Sequence, residues 1–155
     1  ITKVKFLLPG SLAPVICLKD IDGNTKCSEG TKDKFKYIVF ADTEMMFCRE
    51  HLKYLTTIQN QFKNHLEIVI VLRKTDLIEM KMFLVKNEIP GLKLNDEKGE
   101  FINRYKVKSF PTCFILDENH KIAFNEAKAP LDGFEQQFGS FLRNELFERQ
   151  RNQTR

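Results

Sequence analysis

The sequence predicts an α/β domain in which helices flank a mixed sheet of four or five strands. Two short apolar runs rich in β-branched residues, 37–41 and 66–72, bracket a segment with helical periodicity. A proline-led strand, a turn and a return strand follow, and an aromatic helical stripe closes the chain. A strand, helix and strand in that order form a right-handed crossover, and the later hairpin and helix join it through short connections.

Taken in order, Val15, Ile16 and Leu18 precede Asp20-Ile21-Asp22-Gly23-Asn24, a cluster of turn formers, so 13–27 reads as a β-hairpin. Tyr37-Ile38-Val39-Phe40-Ala41 has the unbroken apolarity of a strand covered on both faces. Asp42-Thr43-Glu44 offers capping chemistry to a helix over 45–63, whose Leu52, Leu55, Ile58 and Phe62 share one face. After a second buried strand at 66–72, a helix at 77–88 turns Leu77, Met80, Phe83 and Leu84 inward and stops at Pro90-Gly91.

Leu92-Lys93-Leu94 reads as a short edge strand, and 99–105 as a short helix. Pro111 can lead the strand Thr112-Cys113-Phe114-Ile115-Leu116, because the first position need not donate to the ladder. Residues 117–120 turn the chain and 121–124 return it antiparallel. The final helix, 131–149, aligns Phe134, Phe138, Phe141, Leu142 and Leu146 along one stripe.

The 155 residues, 42% of them hydrophobic with 14 phenylalanines, suffice for one sizeable core, so 1–155 reads as a single domain. The net charge of +4 arises from 25 basic and 21 acidic residues interspersed along the chain. Even the densest basic run, 143–155, carries Glu145 and Glu148, and it reads as a solvated helix end rather than a nucleic-acid surface. No apolar run reaches the ~20 residues that a membrane span needs. The first residue is Ile1 rather than methionine, which suggests a processed N-terminus, with any signal or lipid anchor lying upstream.

Further landmarks carry a resemblance. Ala13-Pro14 with Leu18-Lys19-Asp20-Ile21-Asp22-Gly23, then Val39-Phe40-Ala41, then Cys48-Arg49-Glu50, then Leu94 to Glu100, and finally Val107 to Asp117 with Phe110-Pro111-Thr112 stand in the order and spacing of a known pattern. Together they resemble the thioredoxin superfamily, in its branch of TlpA-like thiol-disulfide oxidoreductases related to peroxiredoxins. The resemblance implies a thioredoxin-like fold, a cis peptide bond before Pro111, and substrate docking along Phe110 and Pro111. It also implies an extracytoplasmic setting and a protein or peptide partner.

The chain departs from that pattern where the chemistry would reside. Met45-Met46-Phe47-Cys48 occupies the four positions of the C-x-x-C motif, which places Met45 at the nucleophile and Cys48 at the resolving cysteine. A thioether has no proton to lose and forms no disulfide, so dithiol exchange through this motif is expected to be absent. Glu44 would further disfavour a nearby thiolate. Two readings follow: a non-catalytic binding module with Cys48 buried and inert, or a redox enzyme using Cys48 as a single thiol.

The other reactive residue types have structural readings beside functional ones. Cys17 and Cys27 flank the first hairpin turn, and a shared face would permit a disulfide. A one-residue change of register separates them, and two unpaired thiols are the favoured expectation. Cys113 lies within a buried strand and reads as core. His51, His65 and His120 fall on a helix face, a helix end and a turn, so neither a metal site nor a cofactor is expected. Met45 and Met46 are oxidisable if exposed, although packing is the simpler role.

Overall fold

The computed structural model describes residues 8–153; Ile1 and the final two positions of the basic run lie outside it. A two-stranded antiparallel hairpin, β1 (Cys17–Lys19) and β2 (Thr25–Cys27), precedes the main sheet. The main sheet contains β3 (Phe35–Ala41), β4 (Leu66–Arg73), β5 (Leu92–Asp96), β6 (Thr112–Leu116) and β7 (Ile122–Ala127) in the spatial order β5-β4-β3-β6-β7. Strands β3, β4 and β5 run parallel, whereas β6 is antiparallel to both β3 and β7. Helices α1 (Met46–Phe62), α2 (Leu77–Lys86), α3 (Glu100–Arg104) and α4 (Phe134–Gln153) complete the thioredoxin-like architecture.

The unbroken apolar runs are explained by two cores, one on each face of the sheet. From β3, Tyr37, Val39 and Ala41 join Leu52, Leu55 and Ile58 of α1, Met80 and Leu84 of α2, and Phe134 and Phe138 of α4. Ile38 and Phe40 point to the opposite face, with Ile16, Leu94, Phe101 and Tyr105. Successive strand side chains alternate between faces, so a central strand covered twice must be apolar throughout. The Tyr37 and Phe134 rings stack at 3.7 Å between centroids, fixing α4 over the middle of the sheet.

Several boundaries and orientations differ from expectation. β3 starts two residues early, because the Phe35 amide donates to the His65 carbonyl at 2.8 Å. This extension buries Lys36, whose ammonium donates to the carbonyls of Thr31 and Lys34; burial lowers its pKa. Leu77 is 47% exposed rather than inward, since α2 buries Met80, Phe83 and Leu84 instead. Leu146 is likewise exposed, and Phe141 is half-buried against the Phe35 and Phe124 rings.

The hairpin covers one sheet edge. Asp20 forms an isolated antiparallel bridge to Leu94, which shields the outer strand β5. Gly91 leads into that strand at φ +93°, where a Cβ would meet the Ile68 carbonyl oxygen at 2.6 Å. Only glycine satisfies both the backbone conformation and the close approach.

Candidate functional site at the start of α1

Sheet register brings two chain segments to the same end of the molecule. Phe40 pairs with Thr112 and Val39 with Cys113, so the chain leaving β3 toward α1 and the Phe110-Pro111 segment entering β6 emerge side by side. The Phe110–Pro111 peptide bond is cis. Phe110 and Pro111 are half-buried, as is Met45, while Met46 and Phe47 are 68% and 51% exposed. An apolar surface therefore lies where the first turn of α1 begins.

The entry to α1 is built differently from the capping expected of Asp42-Thr43-Glu44. Met45 itself is the N-cap residue and supplies no side-chain hydrogen bond. Asp42 instead folds the preceding turn: its Oδ1 accepts from the Glu44 amide at 2.9 Å, and its carbonyl accepts from the Met45 amide at 3.1 Å. Arg73 joins this turn to the proline segment, lying 3.6 Å from Asp42 Oδ2 and 5.4 Å from the centre of the Phe110 ring. Sequence reading missed Arg73 because it ended the strand at Leu72. A charged residue after five consecutive apolar ones reads as a boundary, whereas here it is the last paired position of β4.

Cys48 is fully buried within the first turns of α1. Burial pushes its thiol pKa up, opposed by a hydrogen bond from the Asp42 backbone and reinforced by the Asp42 carboxylate. Cys113 is also a buried free thiol, with its pKa pushed up to about 12 by burial; the neighbouring Tyr37 hydroxyl acts in the opposite direction. Neither thiol combines exposure with a lowered pKa, the two properties that make a cysteine a ready nucleophile.

Cys17 and Cys27 stand directly opposite each other in the β1–β2 ladder and form a disulfide across ten residues of sequence. This corrects the expectation of two unpaired thiols: the hairpin adopts the register that puts both on one face. Composition does not specify that register, because every side chain in these two strands is exposed or half-buried and no apolar face selects it.

The histidines do not converge. His51, on α1, accepts from the Leu131 amide through Nδ1 at 3.1 Å, which ties α1 to the chain entering α4. His65 lies in the turn before β4, and its carbonyl receives the Phe35 amide. His120 is buried in the β6–β7 turn and contacts Ser28 and Ala13. Among the described residues no three His, Cys, Asp or Glu side chains are grouped to hold a metal ion.

Comparison with known proteins agrees with this architecture. A thiol-disulfide oxidoreductase ResA from Bacillus thuringiensis is 25% identical over 122 residues, covering 78% of this chain and 70% of the relative. The thioredoxin domain of a thiol-disulfide oxidoreductase from Bacteroides vulgatus superimposes with a TM-score of 0.73 at 22% identity, covering 84% of this chain and 95% of the other. A thiol:disulfide interchange protein from Bacteroides sp. gives a TM-score of 0.70 at 23% identity, with coverage of 84% and 88%. Residues 9–125 match the model of the AhpC/TSA family. With more than half of its length matched, and with the thioredoxin-like sheet and helices in place, the chain belongs to the AhpC/TSA family.

Proposed function

We propose that this protein is a thioredoxin-fold binding module of thiol-disulfide oxidoreductase ancestry that performs no dithiol exchange at α1. The observation that carries this reading is the pairing of Met45 at the helix N-cap with a fully buried Cys48. A dithiol cycle needs an accessible thiolate to attack and a second thiol to resolve the mixed disulfide. Methionine cannot supply the first, and burial holds Cys48 in its protonated form.

The surface around Met45, Phe47 and Pro111 remains suited to an extended peptide or protein segment. Proline has no amide hydrogen to contribute, while neighbouring backbone groups and the exposed Phe47 ring offer docking contacts. The Cys17–Cys27 disulfide supports an extracytoplasmic, oxidising setting. No helix among the described residues is long and apolar enough to cross a membrane.

The alternative, a monothiol enzyme using Cys48, requires an exposed and acidic thiol, and the burial of Cys48 weighs against it. Thiol labelling of the native protein across pH, with mass spectrometry to locate the adduct, tests the choice. Cys48 is expected to stay unlabelled until the protein unfolds. Rapid labelling with an apparent pKa well below ~8.5 would overturn the binding-module reading in favour of monothiol chemistry.

A further inference from the structure

Helix α2 is apolar on two sides. Met80, Phe83 and Leu84 face the core, while Ile78, Met82 and Val85, spaced by four and three residues, form a second stripe that is 65–72% exposed. Of the eleven large hydrophobic residues exposed among those described, four lie along this side of α2 or beside it at the start of α1: Met46, Ile78, Met82 and Val85. Scattered exposed apolar residues are ordinary, but a contiguous set on adjoining helices marks a contact surface.

This surface is concave. Met46, Met82, Phe83 and Val85 line a groove of about 880 Å³ between α1 and α2. Its polar lining is unbalanced in charge: Arg49, Lys53, Lys81 and Lys86 stand against Glu50 and Glu79. Lys53 lies 3.5 Å from Glu50, and Lys81 lies 3.8 Å from Asp22 outside the groove. Arg49 is held over the Phe83 ring at 5.2 Å, which stiffens the groove floor.

We propose that this groove is the docking site for an amphipathic helix of a partner protein, with an apolar stripe flanked by acidic residues. A helix presents apolar side chains at intervals of three and four residues, which complements the Met82–Val85 stripe, and acidic flanks complement the cationic excess. The two methionines adapt their flexible side chains to the incoming stripe. This assignment goes beyond the reading of the α1 site and does not depend on the reactivity of Cys48.

The test uses the full chain with methyl-labelled methionine and two synthetic amphipathic peptides of about four helical turns, a length near the limit for an isolated helix. Both carry a leucine stripe; one is flanked by glutamate and the other by lysine. The glutamate peptide is expected to shift the Met46 and Met82 methyl signals, to bind at least ~10-fold more tightly than the lysine peptide, and to weaken with salt. Met82→Ser with Val85→Ser should abolish these shifts, while Lys81→Glu with Lys86→Glu should reverse the charge preference. Met82, Val85 and Lys86 are exposed on α2 and Lys81 is half-buried beside Asp22, and an unchanged far-UV spectrum checks the fold. Phe47→Ser should leave the peptide affinity intact, which separates this groove from the surface at α1 and Pro111. Equal affinity for both peptides, no binding, or shifts elsewhere would overturn the proposal. So would concentration-dependent dimerisation, or binding to anionic phosphatidylserine vesicles, that is lost in the Met82/Val85 variant while the glutamate peptide fails to bind.

Discussion

His120 Nε2 lies 2.9 Å from the Ser28 hydroxyl, joining the β6–β7 turn to the segment after the first hairpin across ninety-two residues of sequence. The ring's other nitrogen is 3.0 Å from the Ala13 carbonyl oxygen. A carbonyl only accepts, so neutral His120 carries its proton on Nδ1 and takes the Ser28 hydroxyl proton at Nε2. Ser28 Oγ in turn accepts from the Ile16 amide at 2.9 Å, so one imidazole organises three separate segments.

Stability should fall as pH drops below the ordinary histidine range. Burial, the leading cause at both His51 and His120, lowers their pKa in the folded protein below the ordinary value of about 6.5. The unfolded state therefore binds protons first on acidification, and the stabilisation of neutral imidazole, complete above about pH 6.5, is lost as pH falls toward the folded values. Linkage limits the slope in that window to at most ~1.4 kcal/mol per pH unit for each histidine. His120→Asn, which tolerates the left-handed φ of 64° at this position, should remove one histidine's share of the slope in urea titrations at several pH values.

Restoring the missing cysteine should recover redox chemistry. Met45→Cys creates a C-x-x-C pair at the N-terminus of α1, where the helix dipole favours a thiolate. The wild-type protein should reduce insulin disulfides no faster than Cys48→Ala, whereas Met45→Cys should exceed both by about tenfold or more. Wild-type activity well above that of Cys48→Ala would contradict the non-catalytic reading.

Opening the hairpin disulfide should cost stability without altering the helical content. For a loop of this length, chain entropy sets a ceiling of ~2–3 kcal/mol. Ile16, fully buried beside β1, couples the hairpin to the rest of the domain. Cys17→Ser with Cys27→Ser should lower the urea midpoint accordingly, and addition of a dithiol reductant to the variant should have no further effect. An unchanged midpoint would mean that the hairpin unfolds independently.

Asp96 should be required for α3. Its buried carboxylate accepts from the amides of Phe101 and Ile102, at 3.1 and 2.8 Å from Oδ2, satisfying the first turn of a five-residue helix. Asp96→Ala is expected to cost ~1–3 kcal/mol by leaving these donors without a partner, and Asp96→Asn to recover part of it. Chemical denaturation of the three proteins measures the difference.

The sequence by itself determined the element order and the absence of a nucleophile at the start of α1. Both are local: the runs in β3 and β4 record burial on two faces, α1 records its core face at helical spacing, and the chemistry of Met45 is the same in any fold. Tertiary structure alone decided the Cys17–Cys27 pairing, the burial of Lys36 and Cys48, and the links from Arg73 to Phe110 and from His120 to Ser28. It also decided that Leu77 faces outward and that α2 carries a second apolar stripe on an open groove. The physical reason is that periodicity shows which residues share a face, whereas burial, hydrogen-bond partners and strand register depend on what the rest of the chain brings against that face.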